Sequence, residues 1–370
     1  MDSGHEVAEM NFVVNQSPRR VSYLRRLVTV ALSIGIVIST FYVLSIGQQF
    51  FVPLVMAVLA VYLVDILSRF IRKLSVADHS VPRAISVVLA FAIIFGLGFV
   101  LIEIIAQNAR HVAIAAPKYQ ARLQQLQAEL FSRVGIEEPP ELRQLVRAID
   151  LPAVFTAVAK QVAAVLEDVT LILIYGLFIM LERRFMPIKV QALFPDPERR
   201  KNAIRIIRRI DRDIHTYLGV KTAVSLTSAL LAYVLMRFVG LDFAEFWALL
   251  VFILHFIPTI GVIVATLLPT LLAAVQFNSL GPVLVIGIGI TAIAQFMGNI
   301  VEPNVMGETL NLSPLTVIVS LIVWGSVWGI VGAFLCVPLT VILVIVLSNF
   351  ESTRWVCILL SKTGEIRSSD

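Results

Sequence analysis

The chain has 370 residues, of which 58% are hydrophobic and only 15% charged, whereas soluble domains carry about a quarter charged residues. A mean hydropathy of +0.89 means that much of its surface faces lipid, which excludes a soluble enzyme or a freely diffusing binding module. The net charge of +5 and the pI of 9.4 would suit a nucleic-acid partner, but the position of the charges argues otherwise.

Apolar runs of about 20 residues, enough to cross a hydrocarbon core of roughly 30 Å, recur along the chain and must be helices, because lipid cannot satisfy an open backbone hydrogen bond. Residues 27–47 form the first run, preceded by Arg19, Arg20, Arg25 and Arg26. By the positive-inside rule the N-terminus is cytoplasmic. The motif Ser17-Pro18-Arg19-Arg20 faintly resembles a twin-arginine export signal, but no small-residue cleavage site follows, so the arginines are read as orienting the span. Residues 50–67 return inward, followed by Arg69, Arg72, Lys73 and Arg83. Residues 84–106 cross outward again, with Glu103 near the outer end.

Residues 107–168 differ in kind, with seven Lys/Arg against seven Asp/Glu. Leu123, Leu126 and Leu130, then Leu142, Leu145, Val146 and Ile149, repeat at helical spacing around Gly135 and Pro139-Pro140. This is expected to be a small periplasmic helical insert. A further span ends near Leu181. Segment 182–221 then carries eleven Lys/Arg against five Asp/Glu, a net +6 that exceeds the charge of the whole protein. It is expected to be a cytoplasmic loop, so the basic pI reflects membrane topology rather than nucleic-acid binding. Within it Ile204, Ile207, Ile210, Ile214 and Leu218 form an apolar stripe between arginines, which suits a helix lying along the headgroups.

Residues 222–240 read as an outward span, after which the pattern changes. Residues 246–257 are apolar for only 12 positions before Pro258-Thr259-Ile260-Gly261, and a second stretch runs through Pro269 to Gln276. The first piece reaches only about 18 Å and cannot cross alone. The device recurs: 315–323 is short, Trp324-Gly325-Ser326-Val327-Trp328-Gly329 interrupts it, and 330–337 continues through Gly332 to Pro338. Short, Gly/Pro-interrupted segments point to a transporter's substrate site, because non-helical backbone at membrane depth has to face protein or a cavity. The other reading is that these residues only kink closely packed helices.

Between the breaks lie Asn299, Glu302, Pro303, Asn304 and Gly307. Glu302 is either an ion or proton site within the membrane or a cap at the span's end. His255 is read as a structural histidine, Asp65 and Arg237 as residues snorkelling near span ends, and Cys336 and Cys357 as small core residues. No phosphate-binding loop, zinc signature or metal-ligand spacing occurs, so no cofactor or metal is expected and a secondary carrier remains. The expected fold is all-α: a polytopic bundle of seven or eight spans with two re-entrant or broken-helix hairpins. Its parts are a three-span region 1–106, the insert 107–168, a transport region 169–350 with hairpins near 246–276 and 315–338, and a cytoplasmic tail 351–370.

Several of these motifs in their order resemble the autoinducer-2 exporter-like (AI-2E) family of bacterial inner-membrane proteins. They are Phe256-Ile257-Pro258-Thr259-Ile260-Gly261 with Pro269, Asn299 through Glu302-Pro303 to Gly307, Leu312-Ser313-Pro314-Leu315, Gly325, Gly329-Ile330-Val331-Gly332 and Val337-Pro338. Leu193-Phe194-Pro195 in the basic segment extends the similarity. The resemblance implies two re-entrant hairpins, a homo-oligomer, specifically a pentamer, and elevator-like movement. It also implies export of a small polar metabolite such as the quorum-sensing signal autoinducer-2, or sodium/proton antiport. A non-transporting scaffold recruiting a partner through the insert is a reading from a different class. The candidate substrate-binding residues are Pro258, Thr259, Gly261, Asn299, Glu302, Pro303, Asn304, Gly307, Gly325, Gly329, Gly332 and Pro338.

Overall fold

The computed structural model describes residues 17–73, 82–100, 103–104, 125, 169–306 and 311–364. Nearly all of the insert expected at 107–168 lies outside these, as does Gly307. The described residues are helical throughout, apart from turns and one isolated β-bridge between Leu312 and Ser361. The chain is an all-α membrane protein, with five helices among the described residues long and apolar enough to cross a bilayer.

Two compact units are distinguished, up to Phe51 and from Val52 onward. The first contains α1 (Ser17–Ile46), whose side chains from Ala31 to Thr40 are all exposed, as suits a helix with lipid around it. The helix α2 (Gln48–Lys73) begins at the end of the first unit, and within the second it packs through Val61 and Ile66. A Cβ on Gly176 of α4 (Val169–Glu182) would stand 3.8 Å from Val61, and one on Gly219 would stand 3.9 Å from Ile66. Small residues at these points let helices approach closely where lipid supplies no hydrophobic drive. The third apolar helix, α3, is Arg83–Val100. The short helix α5 (Met186–Leu193) leads through Pro195 to α6.

The stripe 204–218 and the span expected at 222–240 form one uninterrupted helix, α6 (Pro197–Val239), of 43 residues. At 1.5 Å per residue it is about 65 Å long, roughly twice the hydrocarbon thickness. Its ends carry strong local signals: the Asp196 carboxylate accepts from Arg199 N–H at 2.9 Å, Pro197 occupies the first turn, and Gly240 closes the helix at φ +82°. No proline stands between these caps and the single glycine, Gly219, stays helical, so the basic half runs directly into the apolar half. Ile214 and Leu218, expected along the headgroups, are buried in the core, 1% and 2% exposed.

After α6 the chain forms a first hairpin from α7 (Ala244–Leu254) and α8 (Ile260–Gln276). Its base is closed by Gln276: the side-chain amide donates to Gly240 O at 2.8 Å, and its carbonyl accepts from Asp242 N–H at 2.8 Å. The start of α7 and the end of α8 therefore lie at the same end, and the segment dips in and returns. The arms bury Trp247, Leu272 and Ala273 with Met236 of α6 and Ile286 of α9 (Leu280–Phe296).

The second hairpin is hidden inside one apolar stretch, α11 (Pro314–Leu347). Thirty-four residues of straight helix would hold their ends about 51 Å apart. Instead Trp328 and Gly329 leave helical geometry at φ/ψ −127°/18° and +60°/−137°, and the arms fold together. Trp324 Nε1 donates to Thr340 Oγ1 at 3.2 Å, a pair about 24 Å apart in a straight helix. The seven-residue α12 (Arg354–Leu360) spans the hairpin's base. Cys357 Sγ reaches Val344 O at 3.5 Å, and Leu360 O accepts from Ser313 N–H at 3.0 Å. Length and hydropathy would count α11 as a span, but its backbone makes it a re-entrant pair. The break lies at Trp328-Gly329, at the end of the expected Trp324–Gly329 interruption, and Gly325 stays helical.

Candidate functional site

The two hairpin tips are built alike. A Cβ on Gly261 would lie 1.8 Å from Leu254 O, and one on Gly332 would lie 1.8 Å from Trp324 O. In each case the chain turns so tightly that the returning backbone occupies the space of a side chain, which only glycine allows. The first tip runs through His255, Phe256, Ile257, Pro258 and Thr259, with Thr259 at φ +58°. The second turns at Gly329. The tips meet where the rings of Phe256 and Phe334 stack, centroids 4.7 Å apart.

Beside this meeting point Lys221 of α6 donates to both carboxylate oxygens of Glu302, each at 2.9 Å. The side chains are 9% and 18% exposed. Glu302 begins α10 (Glu302–Met306), immediately after a π-helical turn at Met297–Val301 that ends α9. Such turns are frequent at functional sites because they re-aim side chains. His255 and Cys336, from the two hairpins, lie within electrostatic reach of Lys221, and Tyr217 lies within reach of Glu302. The site thus gathers α6, α10 and both hairpins around one internally neutralised pair. Removing one partner of a buried pair leaves an uncompensated charge at a cost of about 3–5 kcal/mol, whereas the intact pair adds little net stability.

The expected site residues divide. Pro258, Thr259 and Gly261 form the first tip, Gly329 and Gly332 the second, and Glu302 the ion pair. Asn299 donates to Gln295 Oε1 and is exposed, as are Pro303 and Asn304. Gly325 and Pro338 belong to the arms of α11, where a Cβ at Gly325 would meet Ala333 at an ordinary 3.9 Å.

Lys221 was concealed in the sequence as the last member of the basic segment. Its legible signal is the spacing of Tyr217, Lys221, Ser225 and Ser228, which places them on one helix face. All four are buried, and the hydroxyls of Tyr217, Ser225 and Ser228 have no hydrogen-bond partner among the described residues.

A second charged cluster joins α2 to the basic half of α6. Asp65 pairs with Arg183 and lies 3.7 Å from His215 Nε2, which stands 3.4 Å from Arg69 Nη2. The ring of Tyr62 meets His215 edge-on at 4.6 Å. Burial works against the Arg183 charge, but its hydrogen bond and attraction to Asp65, aided by Asp211, hold the guanidinium protonated. Asp65, expected to snorkel, is instead paired.

Residues 32–352 match the family described as AI-2E family transporter. The AI-2 transport protein TqsA of Escherichia coli (strain K12) is 32% identical over 337 residues, covering 89% of this chain and 96% of that protein. Two relatives named as provisional transport proteins, without a substrate, are also similar. One from Haemophilus influenzae is 29% identical over 309 residues (81% of this chain, 88% of the relative). YhhT of Escherichia coli (strain K12) is 26% identical over 288 residues (76% and 79%). With a match across this much of its length, the chain belongs to the AI-2E transporter family.

Proposed function

We propose that the protein is a secondary exporter of a small polar metabolite in the bacterial inner membrane, with the hairpin tips and the Lys221–Glu302 pair forming its solute site. The observation that carries this is the meeting of two re-entrant hairpins at Phe256 and Phe334 beside a largely buried ion pair. Broken helices converging on a polar point between long helices are how transporters expose one site to alternate sides. Given the name of the relative TqsA, autoinducer-2 is the first solute to test. Sodium/proton antiport through Glu302 would need a carboxylate free to exchange a cation, and here both oxygens accept from Lys221. The reading includes a cytoplasmic N-terminus, a pentameric assembly, elevator-like movement and no catalytic chemistry.

The test is autoinducer-2 flux in proteoliposomes. Lack of autoinducer-2 flux by correctly inserted protein would refute that solute. The tips give a second check. In a background with Cys336 and Cys357 replaced by alanine, Phe256→Cys and Phe334→Cys joined by a short bis-maleimide should arrest flux, while each single variant treated alike stays active. Undiminished flux after full cross-linking would place the pathway elsewhere. A reporter fused within 182–221 should label as cytoplasmic and one within 107–168 as external, and the opposite result reverses the orientation.

A further inference from the structure

The solute site contains a fixed cation and a fixed anion that belong to the protein itself. Lys221 is the one buried Lys or Arg side chain among the described residues, and its ammonium is held by both Glu302 oxygens at 2.9 Å. The two residues stand on different helices, α6 and α10, which pack against each other, and both hairpins also pack against α6. Any movement that takes the hairpin tips across the bilayer therefore takes both charges together. The other Asp, Glu, Lys, Arg and His side chains from 222 to 347 are Arg237, Asp242, Glu245, His255 and Glu308, and Cys336 and Tyr233 are neutral at their ordinary pKa values. Arg237, Asp242 and Glu245 flank the junction of α6 with the first hairpin, at the opposite end of the bundle from the basic half of α6. His255 is buried beside Lys221 and is neutral at its ordinary pKa at physiological pH.

We infer that the Lys221–Glu302 pair is a built-in counter-charge that makes the passage of the site across the membrane electrically silent. The inference rests on the carrier reading above and adds a property to it: movement of the site, empty or loaded with an uncharged solute, is insensitive to membrane potential. Its physical basis is that one elementary charge crossing 100 mV exchanges about 2.3 kcal/mol, roughly a 50-fold change in an equilibrium constant. A lone Lys221 or Glu302 would couple the site to the inner-membrane potential and trap it on one side. A pair that moves as a unit carries no net charge and avoids the trap.

The test is charge displacement after voltage steps, recorded from the purified full-length protein in planar bilayers without solute, beside autoinducer-2 flux in vesicles clamped with potassium and valinomycin. Wild-type protein should displace no charge above the lipid background, and its flux should be equal at either polarity. Glu302→Gln should displace up to about one positive elementary charge per subunit. Its flux should become asymmetric by up to roughly 50-fold per 100 mV. The doubly neutralised Lys221→Met/Glu302→Gln variant and the exchanged Lys221→Glu/Glu302→Lys variant should again be silent. Charge displacement by the wild type overturns the inference, and this holds even if Glu302→Gln does not assemble. Polarity-independent flux by Glu302→Gln at normal expression also overturns it while leaving the carrier reading intact. Absence of autoinducer-2 flux by the inserted wild type refutes that solute, and charge displacement, recorded without solute, then decides the inference alone.

Discussion

Gly332→Ala should abolish transport, and so should Gly261→Ala, although each adds a single methyl group. The added carbon would sit 1.8 Å from a backbone carbonyl oxygen in each case, Trp324 O for residue 332 and Leu254 O for residue 261. Neither oxygen can swing aside as a side chain could, so the hairpin tip must open. Overpacking of a well-packed core costs about 1–3 kcal/mol, and displacing a backbone turn should reach or exceed the top of that range. The other glycines of the second hairpin supply controls. Gly329→Ala meets nothing within 4 Å but forces φ +60° on a residue with a Cβ, a strain of about 1–3 kcal/mol. Gly325→Ala makes only an ordinary 3.9 Å contact and should stay within about 0.5 kcal/mol of wild type. Thermal unfolding in detergent, measured beside flux, gives the order. Equal tolerance of alanine at 261, 325 and 332 would mean that the tips are not built as described.

Neutralising either member of the Lys221–Glu302 pair alone should be far more damaging than neutralising both. Lys221→Met leaves a carboxylate facing protein without its cation, and Glu302→Gln leaves an ammonium without its anion, each costing about 3–5 kcal/mol. The double variant removes both charges and keeps the volumes, so its loss should fall well below the sum, with a coupling of at least about 2 kcal/mol. Thermal unfolding of the four proteins completes the cycle. Additive losses would show that the two side chains do not depend on each other, and the bidentate contact would then have no energetic role.

Chain order, helical class and the two interrupted segments were legible because each rests on a local signal. Apolar runs of bilayer length must be helices. Pro258 with Gly261, and Gly329 with Gly332, interrupt them. The joining of a basic stripe to an apolar span in α6 was not legible in the same way, since composition changes at Thr222 while the backbone does not. Helix continuity is set by the absence of a proline between Pro197 and Gly240, and a change of solvent along a helix leaves its hydrogen bonds untouched. The second break was legible only as the six-residue stretch Trp324–Gly329, and which of its residues turns was hidden for a related reason. Gly325 and Gly329 look equivalent in sequence, yet only residue 329 takes a positive φ.

By itself, then, the sequence determined that the protein lives in lipid, that it is helical, and that its C-terminal half contains two breaks flanking an acidic residue. These follow from hydropathy, period and the special backbone freedom of glycine and proline, which act over a few residues. Only the tertiary structure decided that α11 folds back on itself, that the two tips meet at Phe256 and Phe334, and that Glu302 has Lys221 as its partner across 81 residues of chain. Charge pairing at long range depends on which helices pack side by side, and no local pattern encodes that. The physical consequence is a carboxylate whose charge is already balanced from within the protein.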